Sequence, residues 1–258
     1  HLVVPVRIDP QAVLDAGNRL PLFARKPAPV QVSWLYFSST GLRSIDYLLC
    51  DRHVVPPAEA EYLVETPWRL PDSYLCFTPP HDDVPVGPLP ASANGHITFG
   101  CFNNLVKMNP AVVALWARTL HAVPASRLFL KAGQLDDAGI QADVHRRFAA
   151  HGIATERLTL EGSSPRVEYL SRYNRIDIAL DPFPFPGGTT TVESLWMGVP
   201  VLNRAGDRFI SHAGESILRT AGLPEWIARD DDDYVAIARR FAADLQGLAT
   251  LRAGLRTT

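Results

Sequence analysis

From residue 96 onward, short apolar runs alternate with longer stretches in which apolar residues recur every three or four positions. Ile97-Thr98-Phe99-Gly100-Cys101-Phe102 reads as a strand. After it, Asn109 stands where a helix cap belongs and Pro110 at the first helical position. Val112, Val113, Leu115, Trp116 and Leu120 then form the apolar stripe of that helix. Arg127-Leu128-Phe129-Leu130-Lys131 predicts the next strand, and a helix over 136–150 stops at Gly152. Strands over 158–160, 176–180 and 200–202 are interleaved with helices over 165–173, 190–197 and about 212–221. A last helix starts near Asp232 with acidic residues in its first turn, as the helix dipole favours. This alternation predicts an α/β fold: a parallel sheet with helices on both faces.

Residues 1 to about 90 have a different texture. Apolar runs at 2–6, 30–35 and 45–49 are separated by Lys26-Pro27-Ala28-Pro29, Val55-Pro56-Pro57 and Thr78-Pro79-Pro80, and the stretch 79–95 reads as a linker. Two units are therefore expected, residues 1–90 and residues 91–258. The run at 2–6 reads as a strand and not a signal peptide, and a chain that opens in a strand looks like a piece of something longer. At 258 residues the chain can bury a sizeable core without disulfides or metals. With 47% apolar and 20% charged residues and a net charge of −2, nothing points to nucleic acid or an anionic membrane as partner. No apolar run reaches the roughly 18 residues of a membrane span. Three scattered cysteines, Cys50, Cys76 and Cys101, fit a reducing, cytoplasmic compartment.

In a parallel sheet, chemistry gathers in the loops at the carboxyl ends of the strands. Lys107, beside Asn103 and Asn104 at a helix entrance, suits a phosphate; it suits a solvated turn as well. Asp181 ends a strand where a carboxylate can meet a ribose hydroxyl. Gly187-Gly188-Thr189-Thr190-Thr191 then offers amides and hydroxyls at a helix start. The plainer reading is a glycine turn followed by one capping threonine. Tyr169 and Arg172 stand three apart, sharing a helix face fit for a nucleobase or simply half-buried. Glu193, His212 and Glu215 are further polar cleft candidates. Metal-ligand spacing, dinucleotide and P-loop glycine motifs and the hydrolase nucleophile elbow are all missing, so no metal site is expected.

The run Gly100-Cys101-Phe102-Asn103-Asn104-Leu105-Val106-Lys107 closely resembles the family 41 glycosyltransferases. So does the stretch 180–200, which opens Leu180-Asp181-Pro182 and carries the glycine-threonine loop, and so do 23–32, 45–47 and 69–76. That family holds the protein O-GlcNAc transferases and the SPINDLY-type protein O-fucosyltransferases, and the likeness runs over residues 17–250. It implies a two-lobed GT-B fold with a Rossmann-like C-terminal lobe, here with the end of the N-terminal, acceptor-side lobe. It also implies inverting, metal-independent transfer. The resemblance makes Lys107 the catalytic contact to the donor pyrophosphate, with Asn104 beside it. Ser164, Arg166, Tyr169 and Arg172 fall at the base and ribose, Asp181 at the ribose, and Gly187, Gly188, Thr189, Thr190 and Thr191 at the phosphates.

Three places depart from the family pattern. Gly188 replaces a histidine that the O-GlcNAc branch often carries. The stretch 35–41 replaces a Gly-Tyr-Pro loop, and Asp15-Ala16 replaces a Gly-His-Thr or Gly-Tyr-Thr element. The bulk of the N-terminal lobe and the tetratricopeptide repeats that usually precede it are not in this chain. The expected function is transfer of GlcNAc from UDP-GlcNAc to Ser/Thr hydroxyls of proteins. GDP-fucose-dependent transfer, a non-catalytic nucleotide-sugar-binding module and an epimerase-like relative are the alternatives.

Overall fold

The computed structural model describes residues 20–35, 38–81 and 83–257; the strand expected at 2–6, the Asp15-Ala16 element, Tyr36 and Phe37 lie outside them. After a short helix α1 (Leu20–Ala24), three strands, β1 (Val32–Ser33), β2 (Tyr47–Cys50) and β3 (Thr66–Arg69), form a parallel sheet in that order. The first two fall in the apolar runs named above. β3 carries only Trp68 as a large apolar residue and was not visible as a strand. Leu48 and Cys50 point into a small core with Val54, Val55 and Tyr74.

The stretch expected to be a linker is packed as a fixed strap. Val84 and Leu89 are buried in the main core, and a short helix α2 (Ala91–Asn94) ends at Gly95, whose φ of 69° suits a residue without Cβ. Asn174 accepts from the Gly87 amide at 2.8 Å, Asp177 from the Ala91 amide at 2.8 Å, and Arg252 donates to the Gly87 carbonyl at 2.8 Å. Proline-rich sequence here means an extended path with few backbone donors, not freedom.

Strand β4 (Thr98–Cys101) leads to α3 (Pro110–Ala122), where the Asn109 side chain accepts from the Val112 amide and all five predicted stripe residues are buried. β5 (Arg127–Lys131), α4 (Ala138–Ala149), β6 (Leu158–Glu161) and α5 (Arg166–Ser171) follow. α4 starts later than predicted because Asp137, bonded to the Gly139 and Ile140 amides, is its cap. β7 (Ile178–Leu180), α6 (Thr189–Trp196), β8 (Val201–Arg204), α7 (Phe209–Thr220), β9 (Ile227–Ala228), α8 (Asp231–Ala243) and α9 (Leu245–Gly254) complete the chain. The six later strands form one parallel sheet in the order β6-β5-β4-β7-β8-β9. Its central strands are buried on both faces, which is why they read as unbroken apolar runs. Gly100 is required by packing: a Cβ there would stand 2.6 Å from the Ile176 side chain.

The two sheets meet through α7. Ser216 donates to the buried Asp51 carboxylate at 2.5 Å, and the Phe209 ring lies edge-on to Tyr74 at 6.4 Å. Among the described residues no helix is long and apolar enough to cross a membrane.

Candidate functional site

The sheet winds outward from β4 through β5 to β6 on one side, and from β7 through β8 to β9 on the other. Such a reversal opens a crevice at the carboxyl ends of the two central strands, where ligands bind. Two loops meet there, 102–107 after β4 and 181–188 after β7.

Asn103 joins them. It is 6% exposed, and its Oδ1 accepts from Lys107 Nζ at 3.0 Å and from Thr190 Oγ1 at 3.1 Å. The Lys107 ammonium also donates to the Pro186 carbonyl at 2.8 Å and lies 4.0 Å from the Phe185 ring centroid. Burial pulls the Lys107 pKa below its ordinary range, with the nearby Asp181 charge opposing that shift. Cation and hydroxyl thus stand on one rim.

α6 begins at this rim with Gly188 as its cap and no side chain bonded to its first amides. By contrast, α3, α4 and α8 are capped by Asn109, Asp137 and Asp230. The capping-threonine reading of the triple threonine therefore fails. Thr190 reaches Asn103, Thr191 reaches Asp181 at 2.9 Å, and Thr189 is exposed. An open helix start with unfilled N–H groups attracts anions. Gly187 is pinned beneath it: a Cβ would stand 2.3 Å from Thr191 Oγ1 and 2.5 Å from Thr190 Oγ1.

Beside the rim, a cleft of about 310 Å³ opens between the loops after β4, β5 and β6. Phe102, Asn104, Lys131, Gln134, Ser164 and Tyr169 contribute to its walls. The Tyr169 ring packs 5.7 Å from Phe102 and edge-on to Tyr173, and its hydroxyl donates to Glu193 Oε2 at 3.1 Å. Glu193, almost wholly buried on α6, pairs with Arg166 at 2.6 Å, and that guanidinium lies 5.4 Å from the Tyr169 ring. A larger groove of about 520 Å³, along Pro88, Arg127 and Arg175, contains none of the sequence-predicted site residues, so size does not identify the site.

The structure gathers Lys107, Gly187, Gly188, Thr189, Thr190 and Thr191 at the rim, and Ser164, Arg166 and Tyr169 around the cleft. Three expectations change. Asp181 is 2% exposed, and its carboxylate accepts from Thr191, Gly187 and Asn103, so that it braces the loop. Burial raises its pKa, while the Thr191 hydroxyl, the Lys107 charge and the Gly187 amide oppose the rise. Asn104 is turned to the cleft edge, accepting from Gln134 at 2.5 Å, and its neighbour Asn103 takes the place at the phosphate rim. The Arg172 guanidinium is already occupied by two carboxylates, Glu161 at 2.7 Å and Glu168 at 2.5 Å. Of the polar cleft candidates, His212 and Glu215 lie at the α7 junction, where His212 bonds Glu59 at 3.0 Å. Lys131 and Gln134 were not singled out by sequence, and Asn103 only as one of two amides beside Lys107. For Lys131, a cation at the carboxyl end of an apolar strand was the available signal. Among the described residues no group of three or more His, Cys, Asp or Glu is placed to hold a metal.

A Rossmann-ordered sheet with a cation, an uncapped helix and an aromatic-walled cleft along one edge defines the nucleotide-side lobe of a GT-B glycosyltransferase. The sequence profile of Glycosyl transferase family 41 matches residues 89–258, and the chain belongs to that family. It is 42% identical over 246 residues to a probable UDP-N-acetylglucosamine--peptide N-acetylglucosaminyltransferase SPINDLY of Petunia hybrida, covering 93% of this chain and 26% of that protein. To a probable UDP-N-acetylglucosamine--peptide N-acetylglucosaminyltransferase SEC of Arabidopsis thaliana it is 30% identical, covering 94% of this chain and 26% of that protein. An O-GlcNAc transferase mutant of Thermobaculum terrenum superposes with TM-score 0.85 at 44% identity, over 91% of this chain and 45% of that one. A sucrose-phosphate synthase from Thermosynechococcus elongatus, 13% identical with TM-score 0.55 over 83% of this chain and 53% of its own, shares the fold alone. The chain thus spans about a quarter of the length of the curated relatives it matches.

Proposed function

We propose that this chain is the donor-binding part of a protein O-glycosyltransferase that moves a sugar from a nucleoside diphosphate to Ser/Thr hydroxyls of proteins. The observation that carries this reading is the convergence of Lys107 Nζ and Thr190 Oγ1 on Asn103 Oδ1, at 3.0 and 3.1 Å, beside the open start of α6. In an inverting transfer the acceptor oxygen attacks the anomeric carbon while that carbon's bond to the β-phosphate oxygen breaks; the diphosphate leaves with the electron pair, and the proton lost by the acceptor hydroxyl passes to it or to solvent. Charge grows on that phosphate as the bond lengthens. Lys107 and the α6 amides, held in place beforehand, stabilise the transition state more than the bound donor. This division of labour requires no metal ion.

In this reading the base enters the cleft against Tyr169. Glu193 and Arg166, between cleft and rim, take the ribose in place of Asp181. Residues 1–90 are proposed as the end of the acceptor-side lobe and the linker. UDP-GlcNAc is the proposed donor, supported by the names of the relatives. GDP-fucose is the second reading, favoured by the sequence resemblance to the SPINDLY-type O-fucosyltransferases and by Gly188 where the O-GlcNAc branch often carries histidine. Protein acceptors, tetratricopeptide repeats in the full-length protein and a cytoplasmic setting complete the proposal, the last supported by three free thiols. Calorimetric titration of the full-length protein with UDP and GDP, followed by transfer assays with each sugar donor, tests it. Binding of one diphosphate and transfer from the matching donor is the expected result. Binding without transfer to protein would leave a binding module, and binding of neither would remove the donor site.

A further inference from the structure

Lys131 ends β5 with its side chain 2% exposed, in the wall of the cleft. Among the described residues its ammonium has one hydrogen-bond partner, the Gly162 carbonyl at 2.7 Å. Its cross-strand neighbour Glu161 does not pair with it, because the Glu161 oxygens are held by Arg172 at 2.7 Å and Arg175 at 2.9 Å. Asp136, also near, accepts from the Ser163 amide. A buried ammonium with three donors and one acceptor is costly unless something else accepts from it. In the same cleft lining, Ser164 Oγ is buried and has no hydrogen-bond partner among the described residues. Two buried polar groups with unused capacity thus share one cleft, at the lower end of the size range for ligand pockets.

We propose that Lys131 is a specificity-determining residue that reads the exocyclic oxygen of an oxo base, uracil or guanine, and rejects the amino bases cytosine and adenine. This rests on the donor-site reading above and goes beyond it. An ammonium only donates. Uracil O4 and guanine O6 accept from it, with guanine N7 alongside, whereas cytosine N4 and adenine N6 would set donor against donor in a buried site. A mismatched polar pair of this kind discriminates on the order of 10- to 100-fold. Burial also pulls the Lys131 pKa down, with Glu161 opposing the shift, so an acceptor in the cleft favours the charged form.

The test is calorimetry on the full-length protein with UDP, CDP, GDP and ADP, for the wild type, Lys131→Met and Lys131→Arg. The wild type is expected to prefer UDP over CDP, or GDP over ADP, by at least about tenfold. Lys131→Met should compress that ratio to within about threefold, and Lys131→Arg should keep most of it. Equal wild-type binding of the oxo and amino members of both pairs would overturn the proposal without any variant. So would an unchanged ratio in a Lys131→Met protein that melts normally. Failure of all four to bind would overturn the donor-site reading itself and this inference with it.

Discussion

Replacing Lys107 with methionine removes the ammonium at the rim while keeping most of its bulk. The diphosphate gains about one negative charge as the glycosidic bond breaks. A unit charge about 4 Å from the ammonium, at an effective dielectric near 20, interacts by about 4 kcal/mol. With roughly half the charge developed at the transition state, the differential is about 2 kcal/mol, or about 30-fold in kcat. Removal of a single preorganised donor aimed at a developing oxyanion costs about 100- to 1,000-fold elsewhere, so the expected fall lies between about 30- and 1,000-fold. Donor affinity should fall less, because Thr190 and the α6 amides remain. The Asn103 and Pro186 oxygens that Lys107 now fills at 3.0 and 2.8 Å lose a donor, so thermal melting must accompany the kinetics.

The assay is single-turnover transfer by the full-length protein, with donor affinity measured separately by calorimetry. Equal losses in kcat/KM and in affinity, with kcat unchanged, would show that Lys107 merely holds the donor, and the argument for transition-state stabilisation would be refuted. The wild type should also lose kcat/KM on its alkaline limb through an ionisation below the ordinary lysine value of 10.5, since burial favours the neutral amine. Lys107→Arg, which stays charged, should flatten that limb.

Two further outcomes are expected. Gly187→Ala must displace the hydroxyls of Thr190 and Thr191, at a cost of about 1–3 kcal/mol and with weakened diphosphate binding, whereas Gly188→Ala meets nothing within 4 Å and should leave the melting temperature nearly unchanged; equal behaviour of the two would contradict the loop packing. At the α7 junction, the Glu215 carboxylate, 3.6 Å from His212 Nδ1, and the Glu59 carboxylate, which accepts from His212 Nε2 at 3.0 Å, raise the His212 pKa above 6.5, with burial opposing, and His212 in turn lowers that of Glu215 below 4.5. The stability from His212 is full below pH 6.5 and lost as pH rises through its raised value; that from Glu215 is full above pH 4.5 and lost as pH falls through its lowered one. Melting of His212→Asn against wild type should therefore differ most between those two values and converge at alkaline pH, and a difference independent of pH would rule the ion pair out.

What the sequence disclosed followed from how local each feature is. α3 was legible to the residue because its cap, its proline and its apolar stripe all lie within one short segment. The glycine-threonine loop was legible because a run of small residues at a helix start has few other uses. β3 was hidden, since two of its four residues are Pro67 and Arg69, and parallel pairing with β2 defines it. That the linker before β4 is a fixed strap was not visible in the sequence, because its anchors, Asn174, Asp177 and Arg252, come from positions far along the chain. Arg172 went the same way: helical spacing placed it beside Tyr169, but Glu161, on a different strand, decided where its guanidinium points.

Asp181 and Asn103 show why the site could be found by sequence without being assigned by it. A carboxylate at the end of a buried strand has two possible uses, and the deciding fact is whether donors reach it first. Here Thr191 and the Gly187 amide do, so Asp181 sets the loop that carries Thr190. Asn103 then ties that loop to Lys107 through a single oxygen. The amide suits this junction because its other atom donates back to Asp181 at 3.4 Å, so one neutral side chain serves a cation, a hydroxyl and an anion together. An aspartate at 103 would face Asp181 across that distance and neutralise the cation meant for the diphosphate. On the proposed reading, the charge of Lys107 stays available because both oxygens that accept from it, of Pro186 and Asn103, belong to uncharged groups.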